Sequence, residues 1–136
     1  MSHALRSPDR MTGATALVVT AGTHIPLIGD HLHEAPYVGW LFIVLSVAAL
    51  ALAFVLTIAD TPAVWALSGA VCLAAVIAFV ASRTVGLPQI GDDVGNWTEA
   101  LSYPALVAEL IVVAASVGTL RASRPFAVRA PSSRRP

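Results

Sequence analysis

The chain has 136 residues, of which 57% are hydrophobic and only 12% charged, with a mean hydropathy of +0.77 and no net formal charge. Soluble domains carry about 25% charged residues, so the composition argues against a water-soluble globule and makes the lipid bilayer the natural solvent. All eight basic residues are arginine, and seven of them lie before the first or after the last apolar run; no nucleic-acid partner is expected.

The first element covers 11–28. It is rich in Thr and holds His24 and Pro26. It reads as a membrane helix, since Pro is tolerated in lipid when neighbours satisfy the freed carbonyl. The alternative is a signal peptide, with Arg6 and Arg10 as its basic start, 14–19 as a short apolar core and Val19-Thr20-Ala21 as the cleavage site. An outer loop, 29–36, follows with Asp30, His31, His33 and Glu34. The second span, 37–58, has no charge. A tight turn at 59–62 leads to the third span, 63–82. A second outer loop, 84–99, carries Asp92, Asp93 and Glu99, and the fourth span, 100–120, holds one acid, Glu109. About 20 apolar residues cross a bilayer, so the expected fold is all-α: an integral membrane four-helix bundle over 1–120. The Arg-, Pro- and Ser-rich tail, 121–136, is expected to be disordered.

Four spans put both termini on one side, which then holds every arginine except Arg83. The positive-inside rule makes that side cytoplasmic. Tyr37, Trp40, Trp97 and Tyr103 would mark the outer interface and Trp65 the inner one. The single cysteine, Cys72, lies inside an apolar run. It excludes an intrachain disulfide or a C-x-x-C motif and reads as a small core residue.

Two six-residue stretches echo each other. Residues 25–30 read IPLIGD and 87–92 read LPQIGD, each where an odd-numbered span would leave the outer face. The echo suggests two tandem helical hairpins, related as in parallel membrane repeats. The third span also carries Ala66, Ala70, Ala74, Ala78 and Ser82 at a spacing of four. Small residues let helices approach closely in lipid, so this face is expected to meet either another span or a second copy in a homodimer.

Ionisable groups inside a membrane are costly and mark candidate sites. At 1.5 Å per residue, His24 lies about 8 Å below Gly29 and Glu109 about 10 Å below Ser102, so the two share a depth. Arg83 stands above them, with Asp92 and Asp93 in the same polar cluster. His31 and Glu34 are three apart, a spacing that one helical face would share. Imidazoles with carboxylate suit Zn, Cu or non-haem Fe. The expected ligand set is His24, His31 and Glu109, with His33 and Glu34 in reserve. Haem is less favoured, because spans two to four contain no His. Two alternatives stand beside a metal or redox-accessory role. The cluster could only staple the hairpins of a structural or regulatory subunit, or it could serve a proton- or ion-coupled transporter acting as an oligomer. No zincin, Walker, dinucleotide or nucleophile-elbow motif is present, so no catalytic residue is assigned.

The stretches HLHEAPYVGWLF (31–42) and SRTVGLP (82–88) resemble a group of small, uncharacterised four-span membrane proteins of high-GC, actinobacterial-type bacteria. The resemblance covers most of 15–120. The matching positions are His24, His31, Glu34, Arg83 to Pro88 and Glu109. It implies a multi-pass protein of the bacterial plasma membrane with its polar residues at these places, and no particular activity.

Overall fold

The computed structural model of the chain describes residues 7–123; the tail from 124 onward, expected to be disordered, lies outside the described residues. Five α-helices follow in order: α1 Arg10–His24, α2 Ile28–Glu34, α3 Pro36–Ile58, α4 Pro62–Thr84 and α5 Ser102–Ala122. A single 3₁₀ turn, Ile25–Leu27, joins α1 to α2, and another, Gly91–Asp93, lies in the long connection to α5. Four stretches are long and apolar enough to cross a membrane: Arg10–Glu34, Pro36–Ile58, Pro62–Thr84 and Ser102–Ala122. The chain is an all-α, multi-pass membrane four-helix bundle.

The first span is longer than the sequence suggests. Pro26 has no N–H to offer the carbonyl of Gly22, yet it does not end the helix. The chain tightens into the 3₁₀ turn there and resumes as α2, one of the adjustments that lets proline sit inside a membrane helix. The expected outer loop at 29–36 is therefore helical through Glu34. The break falls at Ala35, whose φ of −142° and ψ of 84° leave the helical region. Pro36 then starts α3 from the first helical position, where its missing N–H costs nothing. The turn is close because Gly39 has no side chain; a Cβ there would lie 2.8 Å from the backbone nitrogen of Leu32.

At the opposite end, 59–61 link α3 to α4. Thr61 caps α4 by accepting from the Val64 N–H at 3.4 Å, and Pro62 occupies the first turn. Asp60 is buried. It accepts from the Trp65 indole N–H at 2.7 Å and from the Ser7 backbone N–H. Trp65 is fully buried, so it is a core residue rather than the expected interfacial anchor. It packs on Gly13 of α1, where an added Cβ would meet its Cη2 at 2.7 Å. Tyr37, Trp40, Trp97 and Tyr103 are exposed.

The helices form a ring in the order α3, α1, α5, α4. The α1–α3, α1–α5 and α4–α5 seams are tight, while α3 and α4, joined by three residues, touch far less. Leu17, Ala21, Leu56, Trp65, Cys72 and Val112 form the centre of the core, so α1 is an integral wall of the bundle. Contact between α4 and α5 is close enough that a Cβ on Gly69 would meet Cβ of Ser116 at 2.8 Å. The small-residue ladder does not make this seam. Trp65, Ser68 and Cys72 face the core, whereas Ala66, Ala70, Ala74 and Ala78 are exposed. The helical period puts the two sets on different faces; of the ladder only Ser82, at its cavity end, is buried.

The echo between 25–30 and 87–92 is not carried into the backbone. The first copy is helical. The second is a reverse turn, with the Ile90 N–H donating to the Leu87 carbonyl at 3.2 Å, Pro88 at its second position and Gln89 at φ 69°. This is the pattern of a type II turn. The two copies do lie at the same end of the bundle, where the Tyr37 hydroxyl donates to the Pro88 carbonyl at 2.7 Å.

Candidate functional site

The end of the bundle away from the termini holds a cavity of about 350 Å³, lined mainly by apolar side chains. Leu41 and Val44 of α3 and Ala74 and Ala78 of α4 flank it and are exposed, so it opens sideways through the loose α3–α4 seam. Its volume lies within the range of small-molecule sites, roughly 300–1,000 Å³. The polar groups on its walls are few: His24, His31, Arg83, Asp93, Glu99 and Glu109 carry the ionisable ones.

The 3₁₀ turn sets the histidines. His24 closes α1 and its Nδ1 lies 2.8 Å from the Thr20 carbonyl; His31 Nδ1 lies 2.9 Å from the Leu27 carbonyl. A carbonyl only accepts, so each Nδ1 is the protonated nitrogen. In the neutral ring each Nε2 is then a hydrogen-bond acceptor. Phe42 of α3 lies against both rings, with centroids 4.9 Å from His24 and 4.8 Å from His31.

Glu109 enters from α5 and is 2% exposed. Its Oε1 faces His24 Nε2 at 3.8 Å, longer than a hydrogen bond, and has no hydrogen-bond partner. A buried carboxyl oxygen left without one costs about 1–3 kcal/mol. The carboxyl is therefore exposed to the cavity's chemistry without being consumed by the fold.

Arg83 behaves in the opposite way. Its guanidinium, at the end of α4, pairs with Asp93 at 2.7 Å and with Glu99, which also accepts from Ser102 Oγ at 3.1 Å. It also lies 5.2 Å from the centre of the Phe79 ring, a cation–π distance. Trp97 makes a T-shaped contact with that ring, centroids 6.0 Å apart. The Gly95 N–H donates to the Arg83 carbonyl at 2.9 Å. Arg83 thus fastens the 85–101 connection over the cavity.

The expected residues divide accordingly. His24, His31, Glu109, Arg83 and Asp93 share the cavity. His33, Glu34 and Asp92 are exposed and lie off it. Among the described residues no three His, Cys, Asp or Glu side chains gather as metal ligands do, so the expected Zn, Cu or Fe set of His24, His31 and Glu109 is not assembled. Phe42 lies against both imidazole rings, and His33 and Glu34 are exposed at the end of α2. Sequence reasoning missed Phe42, Phe79, Asp60 and the Arg83–Glu99 pair. Glu99 stood closest to a signal, as an acid just before the fourth span opposite a lone arginine at the end of the third.

No protein family, curated protein or solved structure matches this chain.

Proposed function

We propose that this membrane protein binds an amphipathic small molecule drawn from the leaflet at the cavity end, which the distribution of arginine makes the outer one. The observation that carries this reading is the apolar, sideways-open cavity with an unbonded carboxyl of Glu109 facing His24 in its wall. Buried polar groups are normally bonded, and orphaned ones at a cavity wall are what a ligand's head would satisfy. The apolar remainder of the ligand would lie along Leu45 and Ala75 and leave through the α3–α4 seam.

Two other uses of the cluster fit less well. A metal centre would need three converging donors, and no three gather among the described residues. A purely structural staple would be bonded throughout, and the buried Glu109 Oε1 in the cavity wall is not.

Photoreactive twelve-carbon probes test the reading in nanodiscs, with labelled residues mapped by mass spectrometry. Saturable labelling of Leu45, Ala75 or Leu106, competed by excess unlabelled amphiphile and lost in Ala75→Phe, is the expected result. Labelling confined to the lipid-facing Leu50, Phe54 and Leu67, with no competition by any head group, would refute it.

A further inference from the structure

Resting on the reading above, we infer that the head group the cavity takes is cationic: the ligand is a lipophilic ammonium. The case is one of charge and hydrogen-bond capacity. The chain has no lysine, and among the described residues lining the cavity Arg83 is the only arginine. That arginine already pairs with two carboxylates, Asp93 and Glu99. By formal charge the trio is one negative unit in excess, before Glu109 is counted.

The remaining ionisable wall groups are acceptors. Glu109 Oε1 is buried and unbonded. His24 and His31 have each given the Nδ1 hydrogen to a helix carbonyl, so each neutral ring offers Nε2 as an acceptor. Phe42, against both imidazoles, adds an aromatic ring to the same wall, and aromatic rings attract cations. A protonated amine has only donors and a positive charge. It would meet Glu109 in place of the 3.8 Å approach of His24. A neutral hydroxyl supplies one donor and no charge. A carboxylate would have to enter beside Glu109, Glu99 and Asp93. What favours it is Arg83, whose Nε and Nη1 are buried and make no hydrogen bond, although Nη1 lies 2.7 Å from Asp93 Oδ1.

The three heads can be compared on one tail. Dodecylammonium, dodecanol and dodecanoate would be titrated into the full-length protein in nanodiscs of neutral lipid at pH 7, reading competition against photolabelling of the cavity. Nanodiscs without protein would correct for partition. Dodecylammonium should compete at least about tenfold better than dodecanol, as expected for a partnered buried charge, and dodecanoate worst. Glu109→Gln, which keeps the shape and removes the charge, should bring the amine down to the level of the alcohol. Equal competition by all three would overturn the cationic assignment and leave the cavity reading intact. Dodecanoate in first place would overturn it in favour of Arg83 Nε as the recognising group. Competition by none would sink the cavity reading together with it.

Discussion

Replacing Arg83 tests whether one guanidinium holds the long connection over the cavity. Arg83→Leu leaves Asp93 and Glu99 side by side with no counter-charge. Removing one partner of a buried ion pair costs about 3–5 kcal/mol. Arg83 is 5% exposed, but the Asp93 and Glu99 side chains keep 26% and 31% of their area accessible. Solvent therefore screens part of the loss, and about 2–3 kcal/mol is the expected destabilisation. Reversible unfolding by SDS titration in mixed micelles, followed by tryptophan fluorescence, would measure it. The emission of Trp97, which sits on the Phe79 ring, should shift to the red as the connection loosens. The triple variant Arg83→Leu, Asp93→Asn, Glu99→Gln removes the stranded charges along with the cation and should recover at least about 1 kcal/mol. A single variant within about 0.5 kcal/mol of the parent, the scale of an ordinary surface change, would refute the assignment. So would a triple variant no more stable than the single.

Two glycines make further tests. Gly13→Ala puts a methyl 2.7 Å from Trp65 Cη2 and 3.2 Å from Leu56 Cδ2, and overpacking of this kind costs about 1–3 kcal/mol; the same SDS titration should show the loss, and an unchanged midpoint would mean that α1 does not seat against Trp65. Gly39→Ala meets backbone as well as the Leu32 side chain, so the turn after α2 cannot relax by rotating a rotamer; about 3 kcal/mol is expected, with faster backbone hydrogen exchange over 31–39 as the local signature.

The fold was legible because its cause is a simple one. Three uncharged or nearly uncharged runs of about 20 residues can do little else in lipid than form helices. What the sequence hid follows from packing. Pro26 and Gly29 are breaking residues in water-exposed chain, yet here α3 lies alongside the whole of α1 and α2, and the helix closes up around the proline. Trp65 reads as an interfacial tryptophan until Asp60, five residues back and buried, is seen to receive its N–H. The alanine ladder was visible by spacing, but spacing says which residues share a face and not which face meets a neighbour.

The site was half legible for the same reason. Depth along a helix follows from counting, and counting put His24 and Glu109 at one level. Rotation about the helix axis does not follow from counting unless an apolar stripe fixes it, and helices that are apolar all round provide none. His33, two residues beyond His31, lies on another face of α2, while Glu34, three beyond, lies at the exposed end of the helix, past the cavity. Phe42 and Phe79 could not be distinguished by sequence from the other large apolar residues of their spans.

The linkage at 59–61 has a mechanical consequence. Asp60 ties that end to Ser7 and Trp65, so α3 and α4 are pinned together where the chain joins them and held loosely where the cavity opens. Such a pair is a set of tongs with its pivot at Asp60. A small rotation at the pivot moves the far ends of two 23-residue helices by the largest distance the bundle allows. Any such widening has to break the hydrogen bond from Tyr37, at the cavity end of α3, to the Pro88 carbonyl.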